Sequence, residues 1–215
     1  TRLDMLGRSV EMLKELLEQL KPYKIPGIVV TITNPADIVA DYVRKGLGLE
    51  RNRVFGTGTL LDTARLIRTL SEESGVGRRS IQAYSLGEHG DSSMIPFSSV
   101  TIGGLPFDAY DISKEKVLEA TRQIGMTIIE GKKSTEFGIG RALTEMAACI
   151  LRDEKKIMPA SVLLQGEYGQ HDVHCGVPCL IGKNGIEKII ELPLTEEEQE
   201  MLCLLYTSDA ADDLI

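Results

Sequence analysis

Apolar residues near the start of the chain step by threes and fours: Leu3, Leu6, Val10, Leu13, Leu17 and Leu20. That spacing predicts an amphipathic helix, because side chains three and four apart share one face. Pro22 and Pro26 then punctuate, and the pattern changes. Ile28-Val29-Val30-Thr31-Ile32-Thr33 is a β-branched run without alternation, the mark of a strand buried on both faces in a parallel sheet. Asn34-Pro35 ends it. A helix is predicted over residues 36–45, closing at Gly46, and a short strand over 53–55. After Gly56-Thr57-Gly58 a long helix is predicted from residue 59 to 74, stopping at Gly75. This strand–helix alternation implies βαβ wiring in the first part of the chain.

The middle and rear read differently. A strand over 81–86 ends in Gly87-Glu88-His89-Gly90-Asp91, and 100–103 with Leu105-Pro106 reads as a hairpin or edge. Helices are predicted over 114–130 and 136–153, interrupted at Gly131-Lys132-Lys133-Ser134. Strands follow over 160–165, 173–181 and 187–191; the Asn-Gly within Gly182-Lys183-Asn184-Gly185 is a hairpin signal joining the last two. The whole is α/β, with an α+β rear half. Thr195-Glu196-Glu197-Glu198 is a capping box opening one more helix. Beyond Met201 the amphipathic order dissolves into Cys203-Leu204-Leu205-Tyr206 and then Asp209-Ala210-Ala211-Asp212-Asp213. Residues 203–215 therefore read as a tail foreign to the fold, or as a frayed terminus. The chain lacks an initiator Met and enters a helical pattern at once, which reads as a piece of a longer protein. The expected division is 1–57, 58–202 and the tail.

Composition removes several classes. The 215 residues, 42% apolar and 26% charged, suit one ordinary domain or two small ones. Net charge is −8, no basic run offsets it, and only 5% of residues are aromatic, so nucleic acid is not an expected partner. No apolar stretch approaches the roughly 20 residues of a membrane helix. Cys149, Cys175, Cys179 and Cys203 are too few for a disulfide framework, and no secretory signal precedes them, so a reducing, cytoplasmic setting is expected.

Asp62 and Arg65 lie three apart on the same predicted helix face, among Leu60, Leu61, Ala64 and Ile67. Alone they read as a surface ion pair, which is worth little. His89 changes the reading. It sits between glycines just past a predicted strand end, where α/β sheets build their sites. An imidazole with a carboxylate beside it is a proton-transfer pair, and a nearby arginine holds a substrate carboxylate through two parallel hydrogen bonds. His171, His174, Cys175 and Cys179 invite a zinc reading, but His174 and Cys175 are adjacent and would point to opposite faces of a strand, so no metal is expected. Gly56-Thr57-Gly58 is not a dinucleotide fingerprint, since the third glycine and the following acidic residue are lacking.

Leu61-Asp62-Thr63-Ala64-Arg65 followed by Gly87-Glu88-His89-Gly90-Asp91-Ser92 resembles the paired signature of the L-lactate/malate dehydrogenase family. Thr33-Asn34-Pro35, Gly56-Thr57-Gly58-Thr59-Leu60, Gly166-Glu167-Tyr168-Gly169 and the segment from Val177 to Gly185 match it too, so the likeness runs from residue 1 to about 202. It implies the rear of a Rossmann domain followed by the family's α+β substrate domain. It further implies NAD as cofactor and hydride transfer between (S)-lactate and pyruvate, with malate or a branched 2-hydroxy acid as alternative substrates. A homotetramer or dimer is implied for the full-length protein. By resemblance His89 is the acid–base residue, Asp62 its orienting carboxylate and Arg65 the substrate-carboxylate ligand. Arg2 would polarise the reacting carbonyl, and Asn34, before a cis proline bond, would meet substrate and nicotinamide. Thr135 would line the substrate pocket, in surroundings closer to the lactate branch. The family's phosphate-cradling turn, ribose-binding acid and main specificity residue find no counterpart in these residues, so the chain alone is expected to be inactive. Bacterial members activated by a sugar bisphosphate carry an Arg and a His where Ile67 and Gln82 stand, which argues against that activation. A non-catalytic protein keeping the scaffold and a zinc module are the competing readings outside the enzyme class.

Overall fold

The computed structural model describes residues 2–90, 93–132 and 136–208, with side chains from 11 to 203 except at 129. The first helix, α1 (Arg2–Leu20), packs through Leu13 and Leu17 on Val39 and Val43 of α2 (Ala36–Leu47). Gly46 does not end α2 as the sequence suggests. The helix passes through it and closes on Gly48 at φ +61, in the left-handed conformation glycine tolerates. Gly46 serves the packing instead, because a Cβ there would lie 2.5 Å from Leu17 Cδ1.

The first strand, β1 (Val29–Thr31), is shorter and less buried than the apolar run predicts, and Ile32 beyond it is 43% exposed. The reason is position. Among the described residues β1 is a sheet edge, paired on one side only, in parallel with β2 (Val54–Gly56). The same sheet continues into the rear half. Gly56 of β2 stands opposite Ser161 of β6 (Lys156–Gln165), which runs antiparallel to β7 (His171–Gly182), itself paired with β8 (Gly185–Ile189). The order is β1-β2-β6-β7-β8. Parallel front and antiparallel rear thus share one sheet across the expected division near residue 57.

Along β7, Cys175, Val177, Cys179 and Ile181 join the main core with Met146 and Cys149 of α5 (Glu136–Leu151), while His174 turns toward α2. The sheet is therefore covered on both faces, as period-two side-chain alternation requires. A second core forms beside it. There α3 (Leu60–Ser74) and α4 (Lys114–Lys132) place Leu66, Leu70 and Val117 against Ile102, Phe97 and Phe107. Ile102 belongs to a small antiparallel sheet, β3 (Ile81–Gln82), β4 (Thr101–Ile102) and β5 (Leu105–Pro106). The strand predicted over 81–86 stops at Gln82, and the residues after it are held by single bridges, from Leu86 to Met94 and from Gly87 to Gly176.

The last helix, α6 (Glu196–Ser208), opens on the predicted capping box. Thr195 N–H donates to Glu198 Oε2 at 3.0 Å, and Glu198 N–H donates to Thr195 Oγ1 at 3.2 Å. The helix does not stop where the tail was expected. It continues through Ser208, Leu202 is fully buried in the main core, and Gln170 Nε2 donates to Cys203 Sγ at 3.2 Å. Leu202 is set by the core it enters, and the side chains from residue 204 onward lie outside the described ones. Among the described residues no helix is long and apolar enough to cross a membrane.

Candidate active site

Two threonines of α3 and its N-terminal edge fix where the first turn lies. Thr59 Oγ1 donates to Ser85 O at 2.6 Å, and Ser85 N–H donates to Thr63 Oγ1 at 2.9 Å, with all three residues buried. Unpaired polar groups there would cost about 1–3 kcal/mol each, so the pairing sets register between helix and segment. Two residues on, Gly87 and Gly176 of β7 exchange backbone hydrogen bonds of 3.0 and 2.9 Å. Gly87 has φ +99, which a side chain would strain, and a Cβ on Gly176 would lie 2.8 Å from Gly87 O. Leu86 and Met94 exchange a further pair at 2.8 and 2.9 Å. The stretch carrying His89 is thereby tied to α3 and to the sheet.

These ties bring together three residues named from the sequence. His89 Nδ1 lies 2.6 Å from Asp62 Oδ2, and Arg65 Nη1 donates to Asp62 Oδ1 at 3.0 Å. Their side chains are 15 to 22% exposed, which separates them from the surface ion pair of the plainer reading. Arg65 is seated by α4, where a Cβ on Gly125 would come within 3.1 Å of its Nη1. Its Nε is buried and has no hydrogen-bond partner among the described residues. The hydrogen bond to Asp62 raises the His89 pKa above its ordinary value. Burial opposes this, the charges of Asp62 and Asp37 add to it, and Arg65 subtracts. With Nδ1–H committed to Asp62, the other ring nitrogen is the one left to take or give a proton.

Asn34 is exposed, follows β1, and is joined to Pro35 by a cis peptide bond. It enters α2, whose first turn reaches His89: the His89 N–H donates to Asp37 Oδ2 at 3.2 Å, and Ser161 Oγ donates to Asp37 Oδ1. Neither Asp37 nor Ser161 stood out in the sequence. The available signal was a single hydroxyl inside the apolar run of β6. Arg2 begins α1, but its side chain lies outside the described residues, as does Thr135. His171, by contrast, is exposed at the start of β7, and His174, Cys175 and Cys179 are buried. Among the described residues no group of His, Cys, Asp and Glu is gathered to hold a metal. A cavity of about 340 Å³ borders Arg65 on the side of α3 facing α4 and α5, lined also by Leu61, Ala64, Arg68, Ile128 and Phe137. Asp62 and His89 do not line it.

Fold and site together define an α/β protein with a hydrogen-bonded histidine–carboxylate pair set where the strands of its sheet give way to α3. The chain belongs to the lactate/malate dehydrogenase family. Residues 1–56 match the family's NAD binding domain, and residues 59–207 match its alpha/beta C-terminal domain. It is 44% identical over 208 residues to an L-lactate dehydrogenase of Fusobacterium nucleatum, an alignment covering 93% of this chain and 65% of that protein. The chain thus spans about two thirds of the length of this relative. Among solved structures, the minor L-lactate dehydrogenase of Enterococcus mundtii superposes with a TM-score of 0.93 at 33% identity, over 98% of this chain and 70% of that one. The malate dehydrogenase of Aeropyrum pernix superposes at 0.91 and 36% identity, over the same shares.

Proposed function

We propose that the full-length protein is an NAD-dependent L-lactate dehydrogenase, interconverting (S)-lactate and pyruvate. The observation that carries this reading is the 2.6 Å contact between His89 and Asp62 with Arg65 on the same carboxylate. Oxidation of a 2-hydroxy acid removes the hydroxyl proton as hydride leaves the 2-carbon. His89 takes that proton on the nitrogen turned away from Asp62, and Asp62 stabilises the imidazolium that results. The buried Arg65 Nε–H has no partner among the described residues, so a substrate carboxylate meeting the guanidinium fork would satisfy it. Arg2 is assigned the developing charge on the carbonyl oxygen in the reverse direction, and Thr135 the pocket wall, both on family resemblance.

NAD, when bound, supplies the hydride acceptor. On the side of this chain, the parallel pair β1–β2 ends in an open rim at exposed Ile32, Thr33 and Asn34, which fits a nicotinamide approaching strand ends. Asn34 is the residue assigned to it. We also propose a homo-oligomer in a cytoplasmic setting. Phe137 at 80% exposure, with exposed Met126 and Ile128 on α4, supports a contact between copies, and the free cysteines suit a reducing compartment.

Malate dehydrogenase is the second reading, favoured by the Aeropyrum likeness. The test is NADH oxidation by the chain extended upstream to the length of its relatives, with pyruvate and oxaloacetate compared. A preference for pyruvate in kcat/KM is expected. A preference for oxaloacetate would establish the second reading, and failure with both acids would overturn both readings.

A further inference from the structure

We propose that Asp37 is a positioning residue for the acid–base histidine, holding the backbone of the His89 segment against β6 and presenting to the imidazole a second negative charge, from α2 rather than from the helix that carries Asp62. This rests on the reading of His89 as the proton-transfer group.

The geometry is specific. Asp37 lies in the first turn of α2, where an acidic residue commonly does no more than complement the helix dipole. Here its carboxyl reaches two other elements. One oxygen accepts from the His89 backbone N–H at 3.2 Å, and the other accepts from Ser161 Oγ. Ser161 is fully buried on β6, opposite Gly56 of β2 on one side and Gly176 of β7 on the other. Gly176 is the residue that pairs with Gly87. The His89 segment is thus held at Gly87 by β7 and at His89 by α2, and both ties converge on Ser161. A Cβ on Gly58 would lie 2.6 Å from Ser161 N, so the chain entering α3 also crowds this point. Asp37 of α2 is thus hydrogen-bonded to a serine against which the chain entering α3 also packs closely.

Among the described residues, the charges facing these groups come from α2, α3 and the His89 segment itself. Around the His89 ring stand Asp62 and Arg65 from α3 and Asp37 from α2; around Asp37 stand His89 and Glu88. β6 and β7 contribute the uncharged Ser161 and Gly176. Burial pushes the Asp37 carboxyl up to about 6, against the pull of Ser161 and the His89 N–H, and Glu88 adds to the rise. The ionised form of Asp37 favours the imidazolium of His89.

The chain has only His89, His171 and His174, so proton NMR resolves each ring, with His89→Gln giving the assignment. Asp37→Asn keeps the shape and an amide oxygen to accept a hydrogen bond, and removes the charge. It should lower the His89 midpoint, because the imidazolium loses a neighbouring negative charge. An unchanged His89 midpoint in a folded Asp37→Asn chain would overturn the proposal. Should that variant not fold, the parent chain still decides. The His89 backbone amide resonance should move with a midpoint near 6, set by Asp37, as well as with the ring. An amide that follows the ring alone overturns the proposal. These readouts need no turnover, so they stand apart from the activity assay. In the extended, active enzyme, Asp37→Asn should shift the kcat profile for pyruvate reduction to lower pH without changing KM; a merely structural role would not move the profile.

Discussion

In the proposed reaction one imidazole nitrogen of His89 handles the proton, and the Asp62 contact at Nδ1 leaves that task to the other nitrogen. Because the Asp62 bond raises the His89 pKa, the imidazolium needed to reduce an oxo acid persists above pH 6.5. In the extended enzyme, kcat/KM for pyruvate reduction should be flat at low pH and fall as pH rises through that raised value. Lactate oxidation, which needs the neutral ring, should rise over the same interval. Paired pH profiles check this, and a reduction profile already falling below 6.5 would refute it. Arg65 makes a different demand. Its planar fork meets a carboxylate with two parallel bonds, whereas a lysine offers a point charge. Arg65→Lys should raise KM for pyruvate by roughly two orders of magnitude, as expected when about 2–3 kcal/mol of charge-assisted hydrogen bonding is lost. Steady-state kinetics reads this directly. The grouping of His89, Asp62 and Arg65 was legible in the sequence, because the three lie in two short segments. Asp37 and Ser161 were not. They are 124 positions apart, and only the sheet brings them together.

Elements were legible where a local signal matched a local cause. The capping box at Thr195 and the Asn-Gly turn after β7 both hold, as do the long helices. Misreadings fall where a neighbour decided the outcome. Gly46 looked like a helix stop, yet its small size serves Leu17 from α1. β6 begins at Lys156, before the predicted residue 160, despite Pro159. Pro159 stands opposite Pro178, and two residues without N–H groups fit a non-hydrogen-bonded pair of an antiparallel ladder at no cost to it. Only the partner strand reveals that. The bridge between Gly87 and Gly176 is the most exacting of these contacts, since a Cβ on Gly176 would meet Thr59 Oγ1 at 2.7 Å as well as Gly87 O. Both neighbours are fixed, one by its hydrogen bond to Ser85 and one by backbone pairing. Gly176→Ala should therefore destabilise the fold by about 1–3 kcal/mol, the usual cost of overpacking. It should also detach the His89 segment from the sheet. Denaturant unfolding gives the first, and loss of amide protection at Gly87 the second; a variant as stable as the parent would mean that this contact yields easily.

At the scale of the whole molecule, His174 on β7 and Asp37 on α2 act on stability with opposite signs. His174 is almost fully buried on β7, and neither ring nitrogen has a hydrogen bond among the described residues. Asp41 Oδ1 is 3.4 Å away, but Arg44 at 3.1 Å and Lys45 at 2.6 Å already occupy that carboxylate. Burial therefore holds the His174 pKa well below its ordinary 6.5. When pH falls below 6.5 the unfolded chain takes up this proton and the folded chain does not, so stability declines toward acid. Asp37 acts with the opposite sign. Its folded pKa of about 6 lies above the ordinary 3.8, so between those values the folded chain holds the extra proton and gains stability as pH falls. In the parent the two contributions offset over much of the range between the Asp37 value of about 6 and the His174 value of about 4. Replacing His174 with an apolar ring of similar size removes one of them. Relative to the parent, His174→Phe should gain about 1 kcal/mol per pH unit below 6.5, until the folded His174 itself takes a proton. Its unfolding free energy should then hold steady or rise on mild acidification, where the parent's is flatter or falls. Urea denaturation at a series of pH values from about 7 to about 4.5 measures the difference curve. A difference independent of pH would show that His174 titrates in the folded chain as it does in the unfolded one, and that Asp41 compensates its charge despite Arg44 and Lys45.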